Sequence, residues 1–113
     1  MERQEMREST TKGHESDRET TKTHELKCVP VYFQQVWDAN KLFEIRLDDR
    51  GFKVGDKVLL REWLPLSGYT GRTITDEITS VIEYPAALRD GYVVLGLDAE
   101  MLERFAPVDQ GGF

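Results

Sequence analysis

Three side chains within one short stretch carry the chemistry that stands out in this sequence: Lys41, Glu44 and Arg46, in Asn-Lys-Leu-Phe-Glu-Ile-Arg-Leu-Asp over residues 40–48. On a strand, a carboxylate and a guanidinium two residues apart share a face, with Cα atoms roughly 7 Å from each other. They either pair directly or both address one polar ligand. A lysine beside a carboxylate can hold a phosphate, orient a carbonyl or, once desolvated, act as nucleophile or base. Arginine adds a planar fork suited to a phosphate or a base edge. The plainer alternative is an ion pair on a solvated sheet face, where such pairs contribute little.

A strand has to position these groups, and period two supplies it. Lys41, Phe43, Ile45 and Leu47 fall on one face, mostly apolar, while Leu42, Glu44, Arg46 and Asp48 fall on the other. Turns at Gly51 and at Val54-Gly55-Asp56 return the chain to the sheet. Upstream, His24 to Val29 reads as a strand. Pro30 then suits the first turn of a helix, where its missing N–H costs little. Phe33, Val36, Trp37 and Asn40 follow helical spacing, and Asn40 is the residue expected to take the left-handed conformation that ends the helix.

Downstream, Asp56 to Leu64 alternates, with Val58, Leu60 and Leu64 on one side, and Pro65, Ser67, Gly68 and Gly71 predict a loop. Arg72 to Tyr84 is a long strand. Asp76 and Ser80 share a face with Ile74, Ile78 and Ile82, which predicts a bend or bulge partway. Tyr92 to Leu97 is apolar on both faces, the pattern of a central strand. Ala99 to Phe105 reads as a terminal helix presenting Met101, Leu102 and Phe105. A mainly β fold with helix follows: a small, closed or nearly closed barrel of five to six strands, with one embedded helix and a C-terminal helix.

Size and charge narrow the possible partners. A chain of 113 residues with 39% hydrophobic content supports one compact core. The expected plan is a disordered polar extension over 1–22, a folded domain over 23–106 and a loose tail over 107–113. Neither a secretory signal nor an apolar run near the ~20 residues of a membrane span is seen, which predicts a cytoplasmic protein without a membrane partner. The lone Cys28 reads as a buried reduced thiol. His14 and His24 lack further ligands at metal-site spacing, and His24 reads as a capping or exposed residue. No cofactor motif is found. Fifteen basic against twenty-one acidic residues give a net charge of -6. That disfavours long duplex DNA, whose binders are normally basic, and leaves room for a local cationic pocket taking a base, a nucleotide or a short single strand.

Lys41-x-x-Glu44-x-Arg46 followed by Phe52-x-Val54-Gly55-Asp56 resembles the signature of the ASCH family in the PUA-like superfamily. The likeness extends through His24-Glu25-Leu26-Lys27, Asp49-Arg50-x-Phe52, Leu60-x-Glu62-Trp63, Gly68-Tyr69-Thr70-Gly71-Arg72 and the Gly91 to Gly96 segment. It covers about residues 23 to 98 and is similar in particular to a small bacterial and phage subgroup of unsettled function. The resemblance implies a β-barrel with a helix-flanked cleft that receives RNA or a modified nucleoside. Lys41, Glu44 and Arg46 would border that cleft, with Lys27, Arg50, Trp63 and Tyr69 in support. Tyr92, a third aromatic, reads mainly as core.

Some ASCH relatives resemble amidohydrolases that deacylate a modified cytidine using a lysine, a threonine three residues on and a later glutamate. Lys41 matches the lysine, Glu44 stands where the threonine would be, and Glu77 or Glu83 would supply the distal carboxylate. Hydrolysis of an N-acylated cytidine through Lys41, Glu44 and Glu77 is therefore the alternative to binding. A phage-type module with a protein partner is the third reading.

Overall fold

The computed structural model describes residues 21–108. The disorder expected of the polar extension therefore lies outside the described residues up to position 20, as does the tail beyond 108.

Strand β1 (Thr23–Cys28) alternates strictly, turning His24, Leu26 and Cys28 inward. Pro30 opens helix α1 (Pro30–Trp37), which buries Phe33 and Val36 against the sheet. The left-handed residue after α1 is Ala39 (φ 61°), not Asn40. The amides of Asn40 and Lys41 both donate to the Gln35 carbonyl, and that closure places the reversal one residue earlier than composition suggests. Strand β2 (Phe43–Leu47) follows, then β3 (Lys57–Leu64), β4 (Gly68–Glu83), β5 (Tyr92–Leu97) and β6 (Glu103–Phe105).

The longest strand, β4, is the spine. Its first half pairs with β3 and its second half with β5, both antiparallel, and the register shifts between Ile78 and Ser80 as the Asp76/Ser80 pattern predicts. Ile74, Asp76 and Ile78 point inward before the shift; after it Val81 packs on the core and Ile82 is exposed. One inserted residue moves the inward set to the other parity. The expected loop over 65–71 shrinks to a turn at residues 65–67, because Gly68 and Tyr69 pair with Leu64 and Trp63. Val93, Leu95 and Leu97 are buried on β5, which is flanked by β4 and β2, as its two-sided apolar pattern predicts.

The terminal helix does not form: Ala99 to Met101 is a turn, and Glu103–Phe105 pairs with Thr73–Thr75 on the edge of β4 that β5 leaves vacant. Seven residues nucleate a helix poorly, whereas an open strand edge offers their backbone groups partners at once.

The barrel does not close either. The sheet order is β1-β3-β4-β5-β2, with β1 parallel to β3, and no backbone ladder joins β1 to β2 among the described residues. Side chains span the gap instead. The Arg46 guanidinium donates to the Lys27 carbonyl (2.8 Å) and that of Arg50 to the Glu25 carbonyl (3.2 Å). Among the described residues the fold is an open six-stranded sheet with one short helix, its seam bridged by two arginines.

A buried knot secures the start of the domain. Asp56 accepts from His24 Nε2 (2.8 Å) and from the backbone amides of Lys22 and Lys53, and Phe52 meets the His24 ring edge-on. His24 is thus neither a cap nor exposed. The Phe52-x-Val54-Gly55-Asp56 segment ties a turn to β1, and Gly55 (φ 95°) supplies a conformation L side chains rarely adopt.

Candidate functional site

The seam between β1 and β2 is a cleft of about 690 Å³, bordered on one side by α1. Lys27 and Cys28 of β1, Tyr32 and Gln35 of α1, Lys41, all five residues of β2 and Tyr92 of β5 border it. Glu44 and Arg46 therefore share a face, as their spacing predicts, and Lys41, which period two assigns to the opposite face, joins them because it precedes β2 and its amine reaches back to Glu44. Glu44, 4% exposed, is the hub: Lys41 Nζ lies 2.9 Å from its Oε2, while Arg46 Nε and Nη2 lie 3.3 and 3.2 Å from its Oε1. The amine also donates to the Phe43 carbonyl (2.8 Å) and the guanidinium to that of Lys27. Two cations thus share one carboxylate, which leaves the trio with an excess positive charge.

The faces of β2 are the reverse of a usual core strand. The Glu44/Arg46 face turns inward, while Phe43, Ile45 and Leu47 are 41–49% exposed. A buried carboxylate is tolerable there because two cations satisfy it. The apolar side chains, on a strand that among the described residues pairs with β5 alone, then line the cleft. Tyr92 and Tyr32 add aromatic surface beside them. Nothing in the local pattern of β2 points to Tyr32, and Tyr92, read as core, is half-buried at the wall of the cleft.

Cys28 also borders the cleft, but burial pushes its thiol up to about 12, with the Glu44 carboxylate adding to the shift. It remains a protonated thiol at neutral pH and supplies no nucleophile.

The supporting residues separate. Lys27 borders the cleft and lies 4.3 Å above the Trp63 ring, so Trp63 holds a cation and does not line the cleft. Arg50 and Tyr69 border a second, smaller depression of about 290 Å³ with Glu25, Lys27, Arg46 and Arg61. Neither Glu77 nor Glu83 borders the cleft: Glu77 sits opposite Lys57 on β3, and Glu83 pairs with Val93 at the far end of β4.

Sequence reasoning also passed over Arg72 as a buried-pair residue. Its guanidinium binds Glu62 (2.9 and 3.0 Å) and Gln34 (2.8 Å) and stacks over Trp37 (4.4 Å) and Phe33. That hydrogen bonding holds the Glu62 carboxyl below its usual range and locks the β3–β4 hairpin to α1. This cluster is a structural clamp.

No helix among the described residues is long and apolar enough to cross a membrane. Among curated proteins, the chain is 38% identical over 74 residues to an uncharacterized 12.9 kDa protein in the GpA 3′ region of Escherichia phage P2, a match covering 66% of each chain. Residues 23–97, which span the seam, the cleft trio and the Asp56 knot, match the model of a domain of unknown function, DUF3850, and the chain belongs to that family.

Proposed function

We propose that this chain is an RNA- or nucleotide-binding module of the ASCH, PUA-like kind, holding a short single strand or a modified nucleoside in the seam cleft. The observation that carries this reading is the convergence of Lys41, Glu44 and Arg46 in one cleft beside exposed apolar and aromatic side chains. A volume of about 690 Å³ falls in the range typical of small-molecule sites, ~300–1,000 Å³. In this reading the Phe43, Tyr32 and Tyr92 surfaces contact a base, Glu44 accepts from a base amino group, and Lys41 and Arg46 hold an anionic or carbonyl oxygen. The net charge of -6 supports a small ligand over a long duplex, since the cations are local.

Deacylation of an N-acylated cytidine draws less support. Glu44 occupies the place of the expected threonine, the Lys41 amine is engaged by that carboxylate and by the Phe43 carbonyl, and Glu77 lies elsewhere. The test is a fluorescence titration, read through Trp37 and Trp63, with the four nucleosides, their monophosphates and short single-stranded RNA. Binding that is weakened by Lys41→Ala and by Arg46→Ala, in variants that still fold, is the expected outcome. Absence of binding to every one of these probes at millimolar concentration refutes the proposal.

A further inference from the structure

The second depression lies beside the cleft and shares two of its residues, Lys27 and Arg46. It has a different character. Glu25 and Lys27 project from the outer face of β1, and Arg61 lies beside them on β3 in register with Lys27. Arg46 and Arg50 reach in over the unpaired edge of β1 to its carbonyls at residues 27 and 25. Four cationic side chains therefore surround about 290 Å³ against one lining carboxylate, Glu25, whose side chain is 64% exposed.

That carboxylate does little to neutralise them. Its approach to Arg61 is long, at 3.5 Å, and an exposed pair at that distance contributes almost nothing. The Tyr69 ring holds the Arg61 guanidinium by its face, 3.8 Å from the ring centroid, and so fixes it without using its N–H donors. Arg50 keeps its own exposed partner, Asp49, and Arg46 shares Glu44 with Lys41, so the least neutralised cations of the depression are Lys27 and Arg61. A fixed guanidinium with spare donors, beside a lysine and two further arginines, is the arrangement that recognises a phosphate.

We infer that the two depressions form one continuous track, with a base in the seam cleft and the adjoining backbone phosphate in the cationic depression at Lys27, Arg46, Arg50 and Arg61. The ligand class is then a phosphodiester-linked single strand of two or more nucleotides, in preference to a free nucleoside. This inference rests on the proposed binding function and adds to it a second subsite and the residue Arg61. The apolar lining of the cleft and the cationic depression would thereby divide the chemically different halves of a nucleotide between them.

The experiment compares a randomised RNA tetramer pool with an equimolar mixture of the four nucleosides, titrated against the full chain and against Arg61→Ala. Arg89→Ala, which lies outside both depressions, controls for the loss of one positive charge. Arg61→Ala is expected to weaken the tetramer roughly ten-fold and to reduce the ratio of tetramer to nucleoside affinity, about the effect of one charged contact. It should also flatten the dependence of log affinity on log salt concentration by about 0.7, the contribution of one phosphate in a single strand. Tetramer binding by Arg61→Ala equal to that of Arg89→Ala overturns the phosphate subsite while leaving the cleft reading standing. An acidic peptide of equal charge bound as tightly as the tetramer, with the same dependence on Arg61, also overturns it. Failure of the unmodified chain to bind any RNA or nucleoside removes both.

Discussion

If Glu44 is the hub of the cleft, then Lys41 and Arg46 should back each other up, and their removal should be strongly non-additive. Glu44 has only 5% of its side chain exposed, with Lys41 on one oxygen and Arg46 on the other. In Lys41→Ala the carboxylate keeps the arginine, and in Arg46→Ala it keeps the lysine. Each single change then removes one charged contact and one hydrogen bond to an exposed carbonyl, a loss of about 1 kcal/mol. The double variant leaves a buried carboxylate with neither cation, and an uncompensated buried charge costs ~3–5 kcal/mol.

The coupling in a double-mutant cycle should thus be at least about 1 kcal/mol, well above the ~0.3–0.5 kcal/mol within which independent sites add. Urea unfolding followed by tryptophan fluorescence measures all four corners. A third substitution separates hub from scaffold: Glu44→Gln in the double background removes the stranded charge and should recover about half of the loss. Additive singles, or a double variant that Glu44→Gln fails to rescue, would show that the three groups are not one unit. The cleft would then lose its organising feature. The same four proteins also serve the ligand titration, so that weakened binding can be separated from weakened folding.

Other perturbations test the rest of the reading. Arg72→Ala leaves Glu62 buried without its fork and should destabilise by ~3–5 kcal/mol. Because the folded Glu62 carboxyl is held below its usual range, the stability it supplies is present above that range and fades as pH falls through the folded value, so the gap between Arg72→Ala and the parent should narrow in acid. Asp76 is the opposite case: it is 1% exposed, one of its oxygens lacks a partner, and burial raises its carboxyl above the usual value. Its contribution is present below the unfolded value and is lost as pH rises through the folded one. Asp76→Asn should therefore be the more stable protein at pH 8, by about 1–3 kcal/mol, and lose that advantage towards pH 3 in urea titrations. Equal pH profiles for the two proteins would contradict this. Cys28 should ignore a thiol reagent at pH 8 in the native chain and react stoichiometrically once unfolded, as its buried, raised thiol requires.

The sequence by itself determined which residues share a face. Glu44 and Arg46 lie together, β5 is apolar on both sides, and β4 carries an irregularity partway, which the structure locates between Ile78 and Ser80, because a strand repeats every two residues whatever surrounds it. It did not determine which face turns inward. On β2 the polar face does, since only contacts from Lys41 and from the β1 edge make a buried Glu44 affordable, and these depend on strands meeting across the seam. The same limit hid the Asp56–His24 knot, the Arg72 clamp, the short β6 that replaced a helix, and Arg61 as a neighbour of Arg50. Each joins residues far apart in the chain or depends on a vacant strand edge, and periodicity along one strand holds no record of what lies across the sheet. Chain order placed the cations in the sequence, while sheet order left β1 and β2 unpaired and so made the space between them.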